Sequence, residues 1–265
     1  SVKTISLKDW LNLKSITPKT DVIIMPETFI PLITSIKVGI PKIIFNQNGS
    51  YSFGPTINGE DFGAPINVLN LYKHPDLIHT LCVSKHDYLL LNKGFEIHKE
   101  RISLLINSIE TNMFLPKANK KPIFSFMPRK NERDSQIVTT LLKEKPWFQG
   151  WQLQEIKNLK QVDVISSLQR SVCFLSFGHP EGFGLPLAEA AACGCALIGY
   201  TGLGGREIFD LGKPHNLAWN VEFGDWQKFI DSAQELITRS KVNNVSLGKQ
   251  LTDFSNTVRK KYTNK

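Results

Sequence analysis

At 265 residues the chain has room for one large domain or two small ones, and it can bury a core without disulfide staples. Hydrophobic residues make up 41% and charged residues 21%, which excludes intrinsic disorder and collagen-like repeats, and no apolar run approaches the roughly 18 residues that span a bilayer. The formal charge of +8 suits phosphates, anionic membrane surfaces or nucleic acid, whereas four scattered cysteines (Cys82, Cys173, Cys193, Cys195) are too few for a secreted scaffold and indicate a reducing cytoplasm.

Short apolar runs alternate with helix-length segments along the chain. Val22 to Met25 reads as a buried strand ended by Pro26, and Phe29 to Val38 as a helix closed by Gly39 and Pro41. Strands follow at Lys42 to Phe45, Leu81 to Val83 and Ile102 to Ile106, with a helix from Lys85 to Asn92 stopped by Gly94. The stretch 107–122, with Pro116, Pro122 and several lysines, has no period and reads as an interdomain linker. The rhythm then restarts. Strands are expected at Ile123 to Met127, Trp147 to Leu153, Val172 to Ser176 and Ala196 to Tyr200. Helices are expected at Asn131 to Lys143, Leu159 to Gln169 and Leu187 to Ala192, and two amphipathic helices (Asp225 to Thr238, Ser246 to Lys261) close the chain.

Strands that alternate with helices predict parallel sheets in an α/β fold. Two Rossmann-like units are expected, 1–116 and 117–265, with the last helix packing back on the first. The first shows fewer strands than a full doubly wound half and opens on Ser1, so a reduced or truncated N-terminal domain is expected.

The segment richest in chemistry runs from His179 through Pro180-Glu181-Gly182-Phe183-Gly184-Leu185-Pro186 to Glu189 and on to Gly194. It follows a strand, at the edge where open α/β sheets bind ligands. Glycines at 182 and 184 let the main chain approach a ligand, and Pro186 suits a first helical turn whose N-terminus favours anions. Glu181 and Glu189 frame the turn; the plainer alternative is a glycine turn with a surface glutamate.

This pattern resembles the E-x7-E signature of retaining glycosyltransferases of the GT-B fold, the group 1 or family 4 type. The likeness extends to Thr201-Gly202-Leu203-Gly204-Gly205-Arg206-Glu207-Ile208 and to Leu105 through Pro116. The resemblance implies a nucleotide-sugar held between two Rossmann-like domains. It places Glu189 on the ribose hydroxyls, Glu181 on sugar hydroxyls near the reacting carbon, and the N–H groups of Gly182, Phe183, Gly184 and Leu185 on sugar or phosphate oxygens. It assigns Arg129 and Lys130, after the first strand of the second unit, to the departing diphosphate, whose developing charge fixed cations stabilise.

The sequence departs from the family in three places. The two cations are adjacent rather than several residues apart. Asn46-Gln47-Asn48-Gly49 stands where many members carry a histidine, leaving Asn48 as the group for a sugar hydroxyl. The glycine-rich opening loop has no counterpart.

The resemblance implies a UDP-, GDP- or ADP-sugar donor and a glycan, lipid-linked or small-molecule acceptor. The alternative is a non-catalytic nucleotide-sugar or glycan-binding module with an incomplete cleft. No metal and no cofactor is expected: no D-x-D stands at a strand end, and Cys193, Cys195 and His179 lack a fourth zinc ligand. Glu207 stands where a dinucleotide fingerprint needs its third glycine, and G-x-S-x-G is absent. No basic stripe with interleaved aromatics calls for nucleic acid. A cytoplasmic protein is expected, with peripheral contact at the inner face of the membrane compatible with its charge.

Overall fold

The computed structural model describes residues 16–54, 56–57, 60–61 and 67–263. The chain divides into two compact units, 1–105 and 106–265, so that the expected boundary at 116/117 falls inside the second. Among the described residues no helix is long and apolar enough to cross a membrane.

In the first unit β1 (Ile23–Pro26), β2 (Lys42–Asn46), β5 (Leu77–Cys82) and β6 (Ile102–Leu104) form a parallel sheet in the order β1-β2-β5-β6. A separate hairpin pairs β3 (Thr56–Ile57) with β4 (Glu60–Asp61). The expected helix at 29–38 is instead a 3-10 helix over Glu27–Thr34, because Pro31 lies inside it and removes a helical N–H. Among the described residues the unit also has two short α-helices, α1 (Val68–Leu71) and α2 (Lys85–Leu89), and 3-10 turns over Gly49–Phe53 and Lys99–Arg101; α2 continues into a π turn over Leu90–Gly94. Lys42, fully buried at the start of β2, donates from Nζ to Asp76 (2.9 Å) and to the carbonyls of Lys37 and Ile40.

The carboxyl edge of this sheet carries a buried polar group. Glu27, directly after β1, accepts the N–H groups of Gln47 (3.1 Å) and Asn48 (3.2 Å), and Asp87 accepts that of Gly49 (3.2 Å). The loop after β2 thus hangs on two buried carboxylates. Burial raises the pKa of both, and for Asp87 burial first and the charge of Glu27 after it push the value to about 6.

The second unit has a five-stranded parallel sheet in the order β11-β10-β9-β7-β8. Its strands are β7 (Lys121–Phe126), β8 (Gln152–Glu155), β9 (Ser171–Ser176), β10 (Ala196–Gly199) and β11 (Ala218–Asn220). All six residues of β9 and all four of β10 are buried, as central parallel strands require. The helices are α3 (Glu132–Lys143), α4 (Gln161–Arg170), α5 (Leu185–Ala192), α6 (Arg206–Gly212), α7 (Trp226–Val242) and α8 (Asn244–Tyr262). α3 packs on α7, and α8 packs on α5, α6 and α7 of its own unit. The small residues Ala188, Ala190, Ala191 and Ala192 of α5 are all buried.

The expected strand over 147–153 begins later, at Gln152. Pro146 opens a 3-10 turn over Pro146–Phe148, and Gly150 reverses the chain at φ +84°. The aromatic residues there plug the core instead, with Phe148 and Trp151 edge-on to Phe124. β11 and α6 carry no periodic signal and are found only in the structure.

Because its native pKa is raised from 3.8 to about 6, Asp87 keeps a proton in the folded chain that the unfolded chain has lost. Stability of the first unit is therefore expected to rise as pH falls through that window. Hydrogen exchange of β2 and β5 should slow from pH 7.5 to 5 after correction for intrinsic rates. Asp87→Asn should remove about half or more of that trend, and an unchanged slope would contradict the assignment.

Candidate active site

β7 lies between β8 and β9, so the connections leaving β7 and β9 diverge and open a crevice at their carboxyl ends. Three loops meet along this edge: 127–131 after β7, 177–184 after β9, and 200–205 after β10.

The second and third loops are joined through their main chains. The Glu181 N–H donates to Gly202 O (2.7 Å), and the Gly204 N–H donates to Glu181 O (3.1 Å). A Cβ on Gly204 would overlap the Gly182 carbonyl, so no other residue permits this approach. Gly184, at φ +82°, is the N-cap of α5, with Pro186 in the first turn. The N–H groups of Gly182, Phe183 and Gly184 meet no acceptor among the described residues, which suits them to oxygen ligands. The root of the loop is fixed by Phe177, stacked on Phe229 at 5.0 Å and edge-on to Phe126 and Tyr200.

The loop after β7 reaches across to the loop after β9. Lys130 Nζ lies 3.0 Å from Glu181 Oε2 and donates to Pro180 O at 2.8 Å. Asn131 Nδ2 donates to Phe177 O (2.6 Å) and His179 O (3.2 Å). Arg129, Lys130, Glu181 and Gly184 line one cavity of about 70 Å³, floored by Ser176 and Leu187. Arg129 is exposed, whereas the Lys130 and Glu181 side chains keep 20% and 22% of their surface.

Glu189 does not line that cavity. It sits half-buried on α5, and burial first, then the charge of Glu110, push its pKa to about 7. Glu189 has no counter-cation among the described residues, so a neutral O–H donor suits it.

Phe183 is 5% exposed and packs edge-on against Tyr262 (5.3 Å), so it can offer a ligand only its main chain. Leu185 is 42% exposed at the start of α5. Asn48, in the first unit, is buried, and its Oδ1 accepts from Ser50 N and Ser50 Oγ. His179 stacks on Phe223 (4.8 Å) beyond the carboxyl end of β9, while Cys193 and Cys195 lie buried before β10, at the opposite edge of the sheet. They form no joint ligand set. Missed by the sequence reading are Asn131 and the Gly202–Gly204 contact; the glycine spacing signals the second, and only a long-range hydrogen bond reveals the first.

Substituting Gly204→Ala should cost about 1–3 kcal/mol by forcing the loops apart. Gly248→Ala, in α8 with nothing within 4 Å, should stabilise by about 0.5–1 kcal/mol. Urea titration of both variants checks the pair; a tolerated Gly204→Ala would contradict the contact.

The comparisons with known proteins bear on the fold. The family described as "Glycosyl transferases group 1" matches residues 150–259. No curated protein sequence is similar enough to count as a match. Among solved structures, TarM of S. aureus in complex with Fondaparinux, alpha-GlcNAc-glycerol and UDP is similar at a TM-score of 0.67 with 13% identity. The alignment covers 91% of this chain and 52% of TarM, so the chain spans about half of TarM's length. Sucrose-phosphate synthase of Thermosynechococcus elongatus is similar at 0.66 with 12% identity, over 91% of this chain and 69% of the synthase. HepE of Anabaena in complex with UDP is similar at 0.63 with 11% identity, over 91% and 75% respectively. Residues 150–259 of the second unit thus match the group 1 glycosyltransferase model, and the chain shares with these structures the two Rossmann-like units of the GT-B fold.

Proposed function

We propose that the chain transfers a sugar from a nucleotide-sugar donor to an acceptor hydroxyl, with retention of configuration at the anomeric carbon. The observation that carries this reading is the cavity where Arg129, Lys130 and Glu181 meet, beside the glycine-loop N–H groups that meet no acceptor among the described residues. In the reaction the bond from the sugar's C1 to the diphosphate oxygen breaks and its electron pair leaves with the phosphate. The acceptor oxygen bonds to C1 from the same face, and its proton passes to the departing phosphate oxygen. Negative charge thus grows on the diphosphate, where Arg129 stabilises the transition state more than the ground state. Its planar fork suits two phosphate oxygens. Lys130 adds charge to the same cavity while holding Glu181.

In this reading Glu181 binds the sugar hydroxyls, the main chain from Gly182 to Leu185 holds phosphate or sugar oxygens, and Glu189 accepts the ribose hydroxyls. Asn48 Nδ2 serves a sugar hydroxyl. Fixed cations take the place of a metal, so EDTA should leave the rate unchanged. UDP is the first nucleotide to test, because TarM and HepE were both solved with it; GDP- and ADP-sugars follow. A glycan, lipid-linked or small-molecule hydroxyl is the acceptor. In this reading the enzyme is cytoplasmic, and its basic excess suits peripheral contact with an anionic membrane surface.

A panel of UDP-, GDP- and ADP-sugars offered with pooled acceptors tests the activity through release of nucleoside diphosphate and the anomeric proton of the product. A product with the donor's configuration is expected; inversion contradicts the mechanism. Arg129→Ala should lower turnover about 10²–10³-fold. Glu181→Gln should lower kcat more than donor affinity, and equal loss would indicate ground-state binding alone. Affinity for nucleoside diphosphate should fall from pH 8 to pH 6, as Glu189, with a pKa of about 7, takes up a proton. Glu189→Gln should bind more weakly and lose that dependence, as calorimetry would show.

A further inference from the structure

We infer that Asn131 is a positioning residue that fixes the loop bearing Glu181, an inference that rests on the role given to Glu181 above. Asn131 stands at the N-cap of α3, the position where asparagine ordinarily accepts an N–H of its own helix. Here the side chain makes no such bond. Its Nδ2 instead donates to the carbonyls of Phe177 and His179, at 2.6 and 3.2 Å. Neither carbonyl accepts a main-chain N–H among the described residues. Two carbonyl partners admit only the amide nitrogen, so the side chain's orientation is set by the chemistry.

The effect is to tie the loop after β9 to the end of β7. Beyond His179 the chain runs through Pro180, whose carbonyl Lys130 holds at 2.8 Å, to Glu181. Two consecutive residues, Lys130 and Asn131, therefore fasten three carbonyls of residues 177–180. Only Lys130 also touches Glu181. Asn131 lines neither the cavity nor any contact with Glu181; it acts through the loop. A displacement of about 1 Å in a reacting group can lower a rate about 10²-fold, so a tether of this kind bears on turnover.

Asn131→Asp separates the two tasks that an asparagine could perform here. Aspartate caps a helix as well as asparagine does and suits the positive end of α3, but it cannot donate to a carbonyl. Asn131→Ala removes the donor without adding charge. In both variants, hydrogen exchange of a peptide covering residues 177–184 should quicken about tenfold or more, with α3 unchanged. The kcat for sugar transfer should fall about 10- to 100-fold, while affinity for UDP stays within about threefold. Unchanged exchange in both variants overturns the inference. So does a parallel fall of kcat and UDP affinity, which would place Asn131 in donor binding. If the parent transfers no sugar to any acceptor, the functional reading falls and exchange alone decides the tether.

Discussion

Everything at the candidate site depends on two main-chain hydrogen bonds that join the loop after β9 to the loop after β10, Glu181 N–H to Gly202 O and Gly204 N–H to Glu181 O. They are possible because β9 and β10 are adjacent parallel strands in register, Ser176 beside Gly199, so their carboxyl ends deliver both loops to one place. They also need a glycine at 204, since any Cβ there would overlap the facing carbonyl. With the loop edges joined, residues 182–184 are buried, and their N–H groups meet no acceptor among the described residues. A loop fixed on both sides needs no further ordering, the condition under which binding an oxygen ligand would cost least.

Charge is laid over this frame unevenly. Glu181 is neutralised by Lys130, and both keep partial contact with solvent. Glu189, eight residues on, is half-buried near Glu110, and burial first, then that charge, push its pKa to about 7. The two glutamates therefore occupy opposite electrostatic settings, one against a cation and the other near an acid. The first unit repeats the theme with different means. There Glu27 and Asp87 hold the loop after β2 by its N–H groups, so a carboxylate in each of two places organises the carboxyl edge of that sheet.

Much of this could be read from the sequence, for definite reasons. The parallel sheets follow from apolar runs separated by helix-length segments, and the starts of α3, α5 and α8 lie within two residues of where periodicity and Pro186 put them. The glutamate pair, the glycines and the adjacent Arg129 and Lys130 announce themselves by type and spacing, and the last two do share a cavity with Glu181 and Gly184. What escaped is set by distant partners. Nothing local to Asn131 says that its amide will serve residues 177 and 179 rather than its own helix. Nothing local to Phe183 says that Tyr262, at the far end of the chain, will bury it. The late start of β8 reflects Pro146 and Gly150 overriding an aromatic run that looks like a strand. α6 and β11 were missed because seven and three residues are too few for a period to show.

The central claim is that the crevice at the carboxyl ends of β7 and β9 holds the diphosphate of a sugar nucleotide. The most direct measurement is a crystal structure of this chain with UDP bound. The account predicts phosphate oxygens within hydrogen-bond distance of the Arg129 guanidinium and of at least one N–H among Gly182, Phe183 and Gly184. A nucleotide seated elsewhere, touching neither Arg129 nor the glycine loop, would contradict it.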